Sequence, residues 1–554
     1  MDNLRFILVV SIGLILYQLS LYWDMDYGPK PNPVIQVQPD SKPSDRIADL
    51  PETDSRDAVQ IEPVQGLVNE TSTQTQVTDI DRKKLLVTTD VLRLWIDSTG
   101  TIVLLDLLDY PLKKEQPDIP LKLLDQVKDH WFIAQSGLIA RKGMASNHQS
   151  TYQFDQDSYP LQAGDDTLRV PLHWSNGGGI EVTKTFVFTR GKYLIGLEQA
   201  VLNNSSEPWI GSQYLQLQRS EGLTEDDSTF IRTYTGGVIY DQKYEKIQFD
   251  NMLDRNLDRE VIGGWIAMIQ HYFAAAWIPP GNEKNRFYTI SLPNQNRFVI
   301  GYSTDQAIEV GTGDRYTFNS GLYVGPKIQS VMEKTAKGLE LTVDYGILTF
   351  IGKPIFWLLE KFHGFVRNWG FAIAMVTLVI KAIFFPLSAA SYRSMAKMRK
   401  LQPKLQAIKE RYEDDKPRFN QEMMALYRAE KVNPLGGCFP ILVQIPVFIS
   451  LYWVLMETVE LRQAPFVLWI DDLSVKDPYY VLPLLMGFTM WIQQRLNPTP
   501  VDPIQEKVMK LFPYIFTIFF LWFPAGLVLY WVVNNSLSII QQWYITRKIE
   551  QGQE

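Results

Sequence analysis

Cysteine is nearly missing from these 554 residues: Cys438 stands alone. That excludes an intramolecular disulfide, a multi-cysteine zinc site and a cysteine-ligated iron–sulfur cluster. Histidine is scarce too, with five in all. His130, His148, His173 and His271 are scattered through one region, and His363 precedes the next long apolar run. None falls inside such a run, so an intramembrane Ser/His protease would lack its base. The chain carries no Walker A sequence and no HExxH, and Gly177-Gly178-Gly179 reads as a turn between strands rather than a phosphate cradle. No catalytic residues, metal site or cofactor are therefore expected. A global basic excess is lacking as well: 54 Lys and Arg against 61 Asp and Glu give a net charge of −7, so any cationic work must be local.

The length leaves room for three or four folded units, and the apolar residues are clustered. Leu4 to Trp23 is an almost uninterrupted apolar run, near the ~20 residues a membrane-crossing helix needs. Asp24 and Asp26 follow it instead of a small-x-small cleavage site, which favours a retained anchor (1–23) over a cleaved signal. Residues 24–82 turn to Pro, Gln, Asp, Ser and Thr, too polar to repay the entropy of ordering, and are expected to be a disordered linker. From 83 to 325, short alternating runs broken by turn residues predict a large antiparallel β-sandwich. Residues 326–368 are expected to hold a helix, over PKIQSVMEKTAKGLELTVDY, and then an amphipathic helix lying at a bilayer surface.

The rest reads as membrane: a second span at 369–387, a third at 435–459 and a fourth at 479–496. Leu511 to Ile545 is too long for one crossing, and Pro524-Ala525-Gly526 supplies a break, giving a fifth span at 511–523 and a sixth at 527–545 before a tail at 546–554. The expected fold is thus a six-helix membrane bundle joined to a β-sandwich domain. Basic residues dominate 388–434, which keeps that loop cytoplasmic, whereas Glu460, Asp471, Asp472 and Asp477 mark the next loop as outside. Both termini then face the cytoplasm and the sandwich faces the periplasm of a bacterial inner membrane.

Lys381 is the most informative residue, a cation inside FAIAMVTLVIKAIFFPL. At bilayer depth it costs at least ~2.5–3.5 kcal/mol on insertion scales. It sits about 9 Å from the cytoplasmic end of its helix, so its stem could snorkel to the headgroups. Alternatively it lines a hydrated recess with Thr377, Gln444, Asn534, Asn535 and Ser538; each of these polar groups alone reads first as helix–helix glue, and it is their coincidence with Lys381 that points to a recess. No Asp or Glu lies well inside a span to neutralise it, so a recess would attract an acidic or polar guest. In the cytoplasmic loop, two amphipathic helices carry Arg393, Lys397, Arg399, Lys400 and Lys404 among Met395, Met398, Met423 and Met424. They read either as a hairpin packed on itself or as an arm docking phosphates of ribosomal RNA or anionic lipid.

Two stretches make the chain familiar. Gln421 to Gly487, with Asn433-Pro434-Leu435-Gly436-Gly437-Cys438 and Pro440, and Phe519 to Gln542 (FFLWFPAGLVLYWVVNNSLSIIQQ) closely resemble the YidC family of bacterial membrane protein insertases. The resemblance covers essentially the entire chain. It implies a five-helix core enclosing a hydrophilic groove open to cytoplasm and lipid, and a mutarotase-like periplasmic sandwich. It also implies nascent membrane proteins as clients, with the Sec translocon, the ribosome and the phospholipid bilayer as partners and no small-molecule substrate. The family's groove usually carries Arg where this chain has Lys381, which keeps the charge and loses the bidentate fork. A secondary transporter would also use midplane polar groups, but inverted repeats and coupling carboxylates are not evident. An anchored carbohydrate-binding receptor would leave Lys381 and the cytoplasmic loop unexplained.

Overall fold

The computed structural model describes residues 49–51, 82–127, 130–222, 234–412, 415–430, 432, 439–497 and 503–551. The expected first span, most of the linker and the Asn433–Cys438 motif lie outside the described residues. The chain divides into two compact units, one of Ile47–Lys361 with Ile449–Ser474, the other including Phe362–Phe448 and Val475–Glu554.

In the first unit, period-2 alternation does what the sequence predicts. Leu92, Leu94 and Ile96 point inward along one strand, as do Leu85 and Val87 along its neighbour. Among the described residues, nineteen strands form an eleven-stranded and an eight-stranded sheet. Across the larger sheet the order runs Asp258–Ile262, Lys284–Leu292, Arg297–Thr304, Trp209–Ser220, Phe132–Lys142, Ile102–Lys113, Leu92–Asp97, Lys84–Thr88 and Ser158–Pro160. Pairing is antiparallel except at the last, parallel pair. The sheets share one core, with Trp265, Trp277, Phe273, Leu215 and Leu217 buried in it, so the expected antiparallel sandwich is what forms.

The ten α-helices of the described residues follow in chain order. The first two, α1 (Phe249–Asp254) and α2 (Gln329–Thr335), are short. Then come α3 (Thr349–Val366), α4 (Trp369–Ile383), α5 (Phe385–Arg411) and α6 (Lys416–Ala429). The last four are α7 (Phe439–Glu457), α8 (Val481–Leu496), α9 (Pro503–Phe519) and α10 (Ala525–Glu550). The helix expected over the whole of PKIQSVMEKTAKGLELTVDY is corrected: only α2 and a 3₁₀ turn at Leu339–Thr342 form, because Gly338 takes the left-handed conformation at φ 80°.

The expected second span is likewise not one straight helix. It ends at Ile383, and the axis turns by 68° into α5. Pro386 lies in the first turn of α5, where its missing N–H is harmless, whereas continuing α4 through it would break the backbone ladder. No single helix among the described residues is long and apolar enough to cross a membrane; only the bent pair α4–α5 passes on combined length and composition. The break expected near Pro524 is present: α9 gives way to a 3₁₀ turn at Phe520–Trp522, and α10 starts after Pro524. Helices α8 and α9 pack so closely at Gly487 that a Cβ there would collide with the Thr517 side chain.

The C-terminal end of α7 and the loop after it belong to the sandwich unit. The Lys327 ammonium donates to Glu457 at 3.4 Å and to the Thr342 carbonyl at 3.1 Å, with both charged side chains buried. His271 Nε2 donates to the Met456 carbonyl at 2.8 Å, and burial, reinforced by the Lys327 charge, pushes that imidazole down to about 3. Arg462 donates to the carbonyls of Pro111 and Leu112.

Candidate functional site

Helix α4 is capped by Asn368, whose side chain accepts from the Phe371 N–H at 3.1 Å. That start places Lys381 in the last turn, where the carbonyl end of the helix favours a cation. Lys381 is only 7 % exposed, so it does not snorkel freely into solvent. Its ammonium donates to the Ser538 hydroxyl of α10 at 2.6 Å. Ser538 in turn donates to the Asn534 carbonyl at 2.8 Å. The lysine expected to stand unpaired is therefore paired, but with a neutral hydroxyl, and the site keeps its net positive charge.

The other expected residues divide. Thr377 is buried and donates to the Ile373 carbonyl of its own helix at 2.7 Å, leaving it only acceptor capacity. Asn535 is buried and donates to Thr489 of α8 at 3.4 Å. Asn534 joins the Lys381–Ser538 pair through its backbone carbonyl. Gln444, half-buried on α7, takes part in none of these bonds.

Sequence reasoning missed Thr489 and Gln542. Gln542 is 2 % exposed and donates to Asn497 at 2.9 Å, while its carbonyl oxygen is buried with no partner among the described residues. The signal was available in spacing: Asn535, Ser538 and Gln542 are three and four residues apart and share one face of α10. Around them α10 packs on α4, α5 and α8. The result is a buried polar stripe along α10, with Lys381 hydrogen-bonded to it.

The basic loop forms a helical hairpin with its own small core. Leu401 and Leu405 of α5 meet Met423 and Tyr427 of α6, with Met398 against them, and Met395 packs near Ile545 of α10. Of the four methionines expected as adaptable contact surface, only Met424 is exposed. Arg393, Lys397, Arg399, Lys400 and Lys404 all lie exposed along α5. Lys404 pairs with Glu430 at 2.7 Å, and Lys400 donates to the Ile549 carbonyl at 3.1 Å.

Comparison with known proteins agrees across both units. The family described as 60Kd inner membrane protein matches residues 361–552, and the YidC periplasmic domain matches residues 84–358. The chain is 57 % identical over 556 residues to the membrane protein insertase YidC of Methylococcus capsulatus, covering 100 % of this chain and 99 % of that protein. It is 48 % identical over 562 residues to its namesake in Thioalkalivibrio sulfidiphilus, with coverage of 100 % and 99 %. A solved structure of an active YidC insertase with its first transmembrane domain aligns at 16 % identity and a TM-score of 0.39, covering 84 % of this chain and 93 % of that one.

Proposed function

Because the chain belongs to the YidC family of membrane protein insertases, we propose that it inserts nascent proteins into a bacterial inner membrane, and does so through the recess around Lys381. In this reading the chain crosses the bilayer six times, with both termini cytoplasmic and the sandwich periplasmic. The observation that carries the mechanism is the buried Lys381 ammonium, held among the described residues by the Ser538 hydroxyl. A polar client segment entering beside it exchanges water for Lys381, Ser538, Asn535 and Gln444, so it avoids the several kcal/mol that bare hydrocarbon imposes on unpaired polar groups. A client carboxylate competes with the Ser538 hydroxyl for the ammonium and gains a charge-assisted bond. The client's apolar neighbour then partitions into lipid, and that transfer drives release without nucleotide hydrolysis.

Short helices aid this. At ~1.5 Å per residue, α4 and α8 are roughly 22 and 24 Å long, less than a ~30 Å hydrocarbon core, which favours local thinning of the bilayer. The exposed cations of α5 are the proposed contact for ribosome or anionic headgroups, and cooperation with the Sec translocon belongs to the same proposal.

The test is reconstitution of the purified protein in vesicles with a small two-span coat-protein precursor bearing an acidic translocated loop. Lys381→Ala is expected to lower its insertion at least tenfold, about 1.4 kcal/mol, while Lys381→Arg keeps most of it. A client with an uncharged loop should be affected far less. Normal insertion of the acidic client by Lys381→Ala would remove the charge from the mechanism.

A further inference from the structure

The larger sheet has a second polar feature, on the face turned away from the core. Along Trp209–Ser220, Leu215 and Leu217 enter the core, so Tyr214 and Gln218 project to the opposite side, yet both are buried. The Tyr214 hydroxyl accepts from the His148 backbone N–H at 2.9 Å and lies 2.6 Å from His148 Nδ1. The Asp49 carboxylate facing Nε2 favours the tautomer with its proton on Nε2, in which the phenol donates to Nδ1. Gln218 is oriented in the same way: its carbonyl accepts from Trp131 Nε1 at 2.8 Å, so its NH₂ faces the other direction.

Both N–H groups converge on one carboxylate. His148 Nε2 lies 3.2 Å and Gln218 Nε2 3.5 Å from Asp49 Oδ2. His148 Nε2 is buried and makes no directed hydrogen bond to any described residue, so its approach to Asp49 is a close charge contact. The Arg297 guanidinium, stacked 3.4 Å over the Trp131 ring, adds positive charge near Asp49. Burial alone would raise the Asp49 carboxyl, but the His148 contact and the Arg297 charge outweigh it and hold the group below its ordinary range.

Asp49 lies within the stretch expected to be a free linker. We propose that this face of the sandwich is a carboxylate socket built for the chain's own N-terminal segment, with Asp49 as its occupant. Each donor is oriented by a second aromatic residue before the carboxylate arrives, which is the arrangement a binding site requires and a chance surface contact lacks.

Limited trypsin digestion of the full chain in nanodiscs tests this at Arg46, three residues before Asp49. Asp49→Asn, a change on the segment that cannot unfold the sandwich, is expected to speed cleavage at Arg46 at least fivefold. Gln218→Met should do the same, and Asp45→Asn should leave the rate as in the parent. Equal rates for the parent and Asp49→Asn would overturn the socket, as would an equal acceleration by Asp45→Asn.

Discussion

Lys327→Met is expected to destabilise the protein by about 3–5 kcal/mol, the penalty typical of breaking a buried ion pair from one side. Lys327 is 3 % and Glu457 6 % exposed. Burial already pushes the Lys327 ammonium below its ordinary range, against the pull of Glu457. Removing the cation strands the Glu457 carboxylate and also orphans the Thr342 carbonyl. The double variant Lys327→Met with Glu457→Leu removes both charges and should recover most of the loss, since apolar replacement of a buried pair is often neutral or better. Unfolding midpoints of the full chain in detergent, followed by tryptophan fluorescence, provide the measurement. A single variant as stable as the parent would mean that water reaches Glu457.

The second large effect concerns Lys184, fully buried on a strand whose other inward residues are Ile180, Val182, Phe186 and Phe188. Its ammonium crosses the sandwich to donate to the Ser136 carbonyl at 2.9 Å and lies 4.7 Å from the centre of the Tyr152 ring. Burial pushes it down to about 7, against the weaker attraction of Asp97. A depressed lysine means that the folded state binds fewer protons than the unfolded state between about pH 7 and 10.5, so stability rises with pH across that window. The stability difference between the parent and Lys184→Met should therefore move in the parent's favour by on the order of 4 kcal/mol from pH 7 to 10.5. Comparing the two proteins cancels the titration of every other lysine and tyrosine. A difference that stays flat with pH would show that Lys184 remains charged inside the sandwich.

These residues also mark how far the sequence could be read. The sandwich was legible because alternation such as Leu92, Leu94, Ile96 is local and repeats in strand after strand. Lys184 breaks that alternation, and nothing local shows that its partner is a carbonyl 48 positions away. Lys381 stood out because a charge in an apolar run is expensive wherever it lies, but Ser538 is 157 positions distant and was one polar residue among several. The bend after Ile383 was signalled by Pro386, yet hydrophobicity continues through Leu387 and masks it. Asp49 was invisible for the opposite reason: the wider stretch around the short Ile47-Ala48-Asp49-Leu50 segment is so polar that composition argues for no structure at all.

The contact between Gly487 and Thr517 has a consequence for traffic. Where a hydroxyl-bearing side chain fills the space a methyl would need, no acyl chain can wedge between α8 and α9. In the proposed insertion route, a client's greasy flank would leave by another doorway, with that seam as a wall that gives the exit its direction.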